Sequence, residues 1–404
     1  MSEYVAGGEK AAGIEGGLRP AAHAVAADVL DNPLHARALE GLSGDEILIY
    51  RRARALLDAG FGVESIPFAD LLLTGPGVFE ALLGRSWAVR FNNPREMIRM
   101  ARGAVIVAEA FDPCEYGVKR VADLRARAEG ELANACRVAD DLLEARRGFG
   151  RAYGLFYEGT GDPYLRARLL DLESSLLGTG RQYALALERL TTVAGLYRDL
   201  GEAHLAGRAL ITRGLYACYS GNLEQAVAST EAGLAEIDCQ RDPALFMTAT
   251  HNQLLFLVDL DRYYEAKRAL FESRHNLIYE DRITALRLRG IEGRIFYGLG
   301  ELLSAEIAFR EVKAGLTAAE MSFYNALASL DLAAVLLRQK RTAEAEEEVL
   351  AAGAVFLRVQ VYAEYLGSII FLVECFRQRT ITPETIEATV AYLRGQEVDA
   401  LGRR

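Results

Sequence analysis

Apolar residues within Ala206–Asp238 recur at helical spacing in two runs with a polar break between them. Leu210 and Gly214 share one face of the first run, Tyr219–Asn222 interrupts the pattern, and a second apolar stripe begins at Leu223. Apolar positions three and four residues apart predict amphipathic helices, and the break carries turn-forming residues. The stretch therefore predicts two antiparallel helices joined by a tight turn.

The same two-helix unit recurs along the chain. An alanine of the second helix marks each copy, at intervals by subtraction of 41, 40, 40, 39 and 40 residues: Ala145, Ala186, Ala226, Ala266, Ala305 and Ala345. Twelve positions earlier, five of the six residues are small, as is needed where two helix axes come close: Ala133, Ser174, Gly214, Leu254, Gly293 and Ala333. Turn or helix-ending residues stand between the two helices: Asp140–Asp141, Gly180–Arg181, Gly221–Asn222, Asp261–Arg262, Gly300 and Lys340–Arg341.

A small residue followed twelve positions later by alanine, with a turn between them, resembles the tetratricopeptide repeat, whose usual period is about 34 residues. Over approximately Ala81–Phe371, segments such as RSWAVRFNNPREMIRMARGAVIVAE and LRLRGIEGRIFYGLGELLSAEIAFREV together resemble a family of uncharacterised bacterial tetratricopeptide-repeat proteins. Some of its members carry an amino-terminal helix-turn-helix of the XRE type. The resemblance implies a regulatory or partner-sensing role, although residues 1–75 do not match a complete DNA-binding domain.

The predicted fold is all-α, a right-handed superhelical solenoid of antiparallel helix hairpins of the tetratricopeptide type. A solenoid grows by stacking repeats, so one elongated body can account for 404 residues. We expect a disordered segment over 1–19, a helical cap over 20–76, the solenoid over 77–396 and a tail over 397–404.

Within the cap, PAAHAVAADVL at 20–30 predicts a short helix, and a capping box at Ser43–Glu46 precedes a helix over Ile47–Ala59. Phe68–Leu73 follows a glycine turn, as the second helix of a helix-turn-helix would. This segment is apolar and carries no side chain to contact a base edge, which favours a solenoid cap over DNA binding.

Hairpins are also predicted at both ends of the regular repeats. Val78–Phe91 and Pro94–Ala110 form the first, and Tyr362–Arg377 with Pro383–Leu393 form the last. The helical spacing places three aromatic side chains and the single tryptophan in the core: Trp87, Tyr263, Tyr264 and Phe271.

Composition and charge disfavour nucleic-acid-binding, membrane-spanning and metal-binding functions. Apolar residues make up 51% and the net charge is −10, which disfavours nucleic acid as the main partner. No apolar run approaches the ~20 residues that cross a bilayer, and the first twenty residues have no signal-peptide pattern, so a cytoplasmic protein is expected. The five cysteines form no CxxC pair and the five histidines no ligand spacing. We expect buried cysteines and neither metal nor cofactor.

The concave face of such a stack is lined by the first helix of each hairpin, and it is the predicted site of peptide or protein binding. The candidate binding residues are Arg127, Asn134, Arg137, Arg208, Thr212, Tyr219, His251, Asn252, Arg287, Arg294, Tyr297, Asp331 and Arg338. Guanidinium groups suit the carboxylates of an acidic partner, but the same arginines could pair with neighbouring glutamates. His251 and Asn252 could equally hydrogen-bond a ligand or hold adjacent repeats in register.

No phosphate-binding loop, nucleophile elbow or catalytic pair is recognisable, so the sequence predicts a non-enzymatic binding scaffold. One alternative is a transcriptional regulator whose first segment contacts DNA while the repeats sense a peptide or dimerise. Another is a self-assembling structural scaffold or homodimer, with Ile369, Ile370 and Phe371 as the apolar edge.

Overall fold

A computed structural model describes residues 33–60, 75–276, 282–358 and 363–401. These residues form nineteen α-helices and one short 3₁₀ helix, with no strand among them, so the all-α prediction is confirmed. The predictions for 1–19, for the helix at 20–30 and for the second helix of a helix-turn-helix at 68–73 lie outside the described residues. The chain divides into two compact units.

The first unit takes residues 33–221 and 228–242 of the described chain. Its helices are α1 (Pro33–Glu40), α2 (Gly44–Asp58), α3 (Pro76–Ala88), α4 (Pro94–Glu109), α5 (Pro113–Tyr116), α6 (Val118–Val138), α7 (Leu142–Glu158), α8 (Pro163–Thr179), α9 (Tyr183–Asp199) and α10 (Ala203–Tyr219). The division passes through α11 (Leu223–Glu236). The first helices of its hairpins are α3, α6, α8 and α10.

The second unit takes residues 222–227 and 243–401 of the described chain. Its helices are α12 (Pro243–Asp259), α13 (Tyr263–Ser273), α14 (Arg282–Gly298), α15 (Leu302–Ala318), α16 (Ser322–Arg338), α17 (Thr342–Arg358), α18 (Ala363–Arg377) and α19 (Pro383–Leu401). The first helices of its hairpins are α12, α14, α16 and α18. The last helix extends eight residues beyond the predicted end at Leu393.

The repeat positions found in the sequence are packing positions. All six second-helix alanines are fully buried, and so are the six first-helix residues twelve positions earlier. A methyl group added at Gly293 would stand 2.8 Å from the Phe309 ring, which explains the small residue there. The hairpin-repeat prediction is therefore confirmed at residue level.

Each turn of the six regular hairpins contains one residue in the left-handed region of the backbone map. These residues are Asp140, Arg181, Gly221, Asp261, Gly300 and Lys340, with φ between 57° and 86°. Their spacing follows the repeat, and one left-handed residue after a helix is a common way to end it. Four of the six carry side chains in a conformation that favours glycine.

The helix starts agree with the predicted caps. The Ser43 side chain accepts from the Glu46 amide while the Glu46 carboxylate accepts from the Ser43 amide, which is the expected capping box. Pro94 occupies the first turn of α4, and the Asn93 side chain caps that helix. Beyond its cap, α2 packs Ala53 and Leu57 against the core of the α3–α4 hairpin.

Two interpretations of buried residues are wrong. Tyr264 is 82% exposed and Phe271 is 71% exposed, because both lie on the side of α13 away from the buried Ala266. Two residues along a helix turn about 200° and five turn about 500°, so neither position shares the alanine's face. Among the cysteines only Cys136 and Cys218 are buried, while Cys114 is exposed.

Candidate functional site

Ion pairs join each first helix of the first unit to the next. Arg127 of α6 pairs with Glu80 of α3 at 2.5 and 2.9 Å, and all four atoms are buried. Arg168 of α8 contacts Glu131 of α6 at 2.8 and 3.2 Å, 37 residues apart. Arg208 of α10 donates to Asp171 of α8 at 2.8 Å, again 37 residues apart. We call these three pairs the arginine ladder.

Aromatic rings and amides surround the ladder. Arg168 lies 4.5 Å from the centre of the Trp87 ring, and Arg90 lies 4.2 Å from the same ring. Trp87 is thus buried as predicted, but against guanidinium groups as well as the core. Arg137 donates from Nε and Nη2 to the Asn134 Oδ1 at 3.1 and 2.9 Å. These two predicted ligand residues, both buried, bind each other.

Helix α1 contacts the beginning of the ladder. His35, which is 1% exposed, donates from Nδ1 to Glu80 Oε2 at 2.7 Å. Arg37 lies 3.6 Å from Asp162 and 4.5 Å from the centre of the Tyr164 ring at the start of α8. Burial alone would raise the pKa of Glu80, but the charges of Arg127 and His35 hold it below its ordinary value. Glu80 is therefore a carboxylate neutralised from two helices.

The far end of the ladder reaches the surface. The side chain of Arg208 is 21% exposed and that of Asp171 is 14% exposed. Thr212 is half-buried one turn further along α10, with its hydroxyl donating to the Arg208 carbonyl at 3.1 Å. Tyr219, also half-buried, stacks 5.9 Å from Tyr183, and burial raises its pKa to about 12. A guanidinium, a hydroxyl and an aromatic ring thus lie along one face of α10, with Tyr219 about three turns beyond Arg208.

In the second unit the predicted residues have different surroundings. His251 and Asn252 are buried in α12, 6% and 2% exposed, within a run of polar residues from Thr250 to Gln253. Arg294 of α14 pairs with Asp259 of α12 at 2.7 Å, which continues the pattern of the ladder. Arg287 is exposed, and no ion pair involves it within the described part of the chain.

Three other predicted residues contact side chains of the last helix, α19. Tyr297 of α14 donates its hydroxyl to Glu387 of α19, and Arg338 of α16 contacts the same carboxylate at 3.2 Å. The Arg338 guanidinium also lies 3.9 Å from the centre of the Tyr297 ring. Burial and the Glu387 carboxylate raise the pKa of Tyr297, so its hydroxyl remains a donor. Arg394 of α19 donates to Asp331 of α16 at 2.7 Å.

Sequence reasoning left two roles open for the arginines, and four of the predicted ones make ion pairs with carboxylates of other helices: Arg127, Arg208, Arg294 and Arg338. The pattern did not identify their partners. Those partners are Glu80, Asp171, Asp259 and Glu387. A search for carboxylates 35 to 37 residues before an arginine would have found two of these pairs, at Asp171 and Asp259.

Metal sites, membrane-spanning helices and clefts are three other features that bear on function. Over the described ranges, no group of three histidine, cysteine or carboxylate side chains is arranged to hold a metal ion. No helix in those ranges is long and apolar enough to cross a bilayer. A cleft of about 520 Å³ lies between α18 and α19 and is lined by Gly367, Ser368, Phe371, Thr385, Ala388, Thr389 and Tyr392.

Comparison with known proteins identifies the fold. No family model matches the chain, and no curated protein matches it. The apo form of RapI is similar in structure at 15% identity, covering 78% of this chain and 86% of that one with a TM-score of 0.50. This likeness supports the tetratricopeptide-type repeat fold.

Two further solved structures match at lower scores. Aspartyl phosphate phosphatase F from Bacillus subtilis has 12% identity, covers 84% of this chain and 96% of its own, and gives a TM-score of 0.47. A Rap protein complexed with competence and sporulation factor has 14% identity, covers 89% and 99%, and gives a TM-score of 0.46.

Proposed function

We propose that this chain is a non-enzymatic helical-repeat protein that binds a peptide or protein partner through the first helices of its hairpins, in a regulatory or partner-sensing role. The observation that carries the proposal is the surface end of the ladder. From there Arg208, Thr212 and Tyr219 place a charge, a hydroxyl and an aromatic ring along one face of α10. Such a set can recognise a peptide carboxylate and the backbone next to it.

An acidic partner fits this end of the ladder better than a basic one. A ligand carboxylate would compete with Asp171, which accepts from the Arg208 guanidinium at 2.8 Å, for that group. A basic ligand would instead be repelled by the positive charge of Arg208. The deeper arginines are less accessible, since Arg127 and Arg168 are 5% and 1% exposed and their carboxylates are buried beside them.

The test is selection of peptides from a random library by the full chain, followed by binding of the selected peptides to two variants. Arg208→Glu reverses the charge at the proposed site. Arg198→Glu makes the same change at α9, where the arginine pairs with Glu236. Peptides that bind the wild type and Arg198→Glu but not Arg208→Glu would support the site. Equal binding to both variants would contradict it.

Self-association is a second candidate function, favoured by an apolar patch on the last hairpin. Ile370 is 61% exposed, Phe371 is 55% exposed and Tyr392 is 47% exposed, while Ile369 is buried. Phe371 and Tyr392 both line the 520 Å³ cleft between α18 and α19. Exposed apolar side chains grouped in this way are typical of interaction surfaces.

Light scattering over a range of concentrations tests this second candidate. An increase in mass that Phe371→Ser abolishes would support association through the last hairpin. Leu350→Ser is the matched control, because Leu350 is 50% exposed on α17 and lies outside the cleft. A monomer at every concentration would exclude the candidate.

A further inference from the structure

Two charged residues of the last helix, α19, contact the first helices of two earlier hairpins. Glu387 contacts residues of α14 and α16, and Arg394 contacts α16. On the same helix Ile386, Val390 and Leu393 are at most 3% exposed and belong to a core cluster with residues of α15, α16, α17 and α18. The helix therefore packs beside Tyr297 of α14 and Asp331 and Arg338 of α16, and we call the surface that carries these three residues the groove.

The contacting residues of α19 form one stripe. Glu387 and Arg394 are seven residues apart, which is two helical turns or about 10 Å. The apolar positions 386, 390 and 393 follow the spacing of four and three that keeps side chains on one face. The opposite side carries Tyr392, which is 47% exposed. An amphipathic helix with its apolar face in a groove is a recurring form of peptide recognition.

The groove supplies complementary groups at both ends of the stripe. Tyr297 and Arg338 bind the acidic residue, and Asp331 binds the basic one. The acidic end is the more accessible, because the side chains of Arg338 and Glu387 are 33% and 39% exposed, against 14% and 10% for Asp331 and Arg394. All three groove residues are among those that the repeat pattern predicts to bind a ligand.

We infer that α19 is a built-in ligand of the groove formed by α14 and α16, and that the partner for this groove is an amphipathic helix of the same design. Such a helix carries an acidic residue, a basic residue seven positions later and apolar residues at offsets of −1, +3 and +6 from the acidic one. A partner binds by exchanging with α19. The inference rests on the proposed function only in assigning ligand binding to first helices.

The experiment uses a fluorescent peptide of residues 383–401 added to the full chain, with binding followed by anisotropy. In the wild type, α19 competes with the peptide and binding is weak. In a Glu387→Arg/Arg394→Glu variant the internal helix no longer matches the groove, and we expect the peptide to bind at least roughly tenfold more tightly. A peptide with both charges reversed should not bind that variant.

Two further variants separate release of α19 from general unfolding. Adding Asp331→Arg and Arg338→Glu to the double variant restores opposite charges at both ends, and peptide binding should fall back to the wild-type level. Arg394→Gln alone is a milder change and should strengthen binding by a smaller factor. Circular dichroism checks the helix content of each variant.

Equal peptide affinity for the wild type and the double variant would overturn the inference. So would binding of the charge-reversed peptide as strongly as the native one. No external partner is needed, and the groove belongs to the second unit, whereas the Arg208 test concerns the first unit. Failure of one test therefore leaves the result of the other interpretable.

Discussion

Glu80 is the residue whose replacement tests the energetics of the arginine ladder most directly. Glu80→Gln keeps the shape of the side chain but removes the charge that Arg127 and His35 both contact. Arg127, 5% exposed, would then be a buried cation without its carboxylate. Removing one member of a buried pair costs about 3–5 kcal/mol, which is the expected loss in the free energy of unfolding at pH 7.

The single tryptophan makes the assay specific to the first unit. Trp87 lies on α3, the helix that carries Glu80, so its fluorescence during guanidinium unfolding reports on this region. Glu236→Gln is the matched control, because its partner Arg198 has a side chain that is 48% exposed. An exposed pair contributes about 0–1 kcal/mol. A loss below about 1 kcal/mol for Glu80→Gln would refute the reasoning.

The dependence on pH gives an independent check on the same carboxylate. Because the pKa of Glu80 is lowered in the folded protein, the unfolded chain binds more protons between the folded value and the unfolded value of about 4.3. The contribution of Glu80 to the stability of the fold is therefore complete above the pKa of the unfolded state. It is lost as the pH falls through the lower pKa of the folded state. The difference in stability between the wild type and Glu80→Gln should narrow on acidification. A difference that stays constant to pH 3 would contradict the assignment.

Two further predictions concern the backbone, and thermal or denaturant unfolding checks both. Lys340 and Gly300 lie in equivalent turns with φ near 70°, where glycine is favoured over residues with a side chain. Lys340→Gly should therefore stabilise the protein by up to about 1 kcal/mol, and Gly300→Ala should destabilise it by about 1–2 kcal/mol. Effects of the same sign would contradict this. Gly178→Ala should lower the free energy of unfolding by about 1–3 kcal/mol, because the added methyl group would stand 2.1 Å from the Tyr216 ring. Gly150→Ala has open space around it and should raise the free energy of unfolding by about 0.5–1 kcal/mol. Equal stability of these two variants would refute the packing argument.

The fold could be predicted from sequence because its determinants are local and repeated. A small residue, a turn and an alanine recur every 40 or so residues, and each has one structural role in every copy. The turn at Asp261, for example, takes the same left-handed conformation as the one at Gly221. Even a residue type that departs from the pattern, such as Leu254, occupies the buried position that its spacing predicts.

The site could be predicted only in part, because its contacts are not local. Helical spacing places Arg208 on a first-helix face, but the register of α8 against α10 decides that Asp171 lies opposite it. The spacing also gives no sign that α19 folds against α14 and α16. Tyr264 is a different case, because its position two residues before Ala266 already places it on the opposite face of α13 from the packing alanine.

The ladder and the last helix neutralise charged first helices in two different ways. In the first unit each ladder arginine takes its carboxylate from the preceding first helix, and the series ends at Arg208 near the surface. In the second unit Arg294 follows that rule with Asp259, but Arg338 and Asp331 take their partners from α19. An ion pair between adjacent repeats cannot break unless the two repeats separate. An ion pair to the terminal helix breaks when that helix alone detaches, so we expect a partner helix to replace α19 at Arg338 and Asp331.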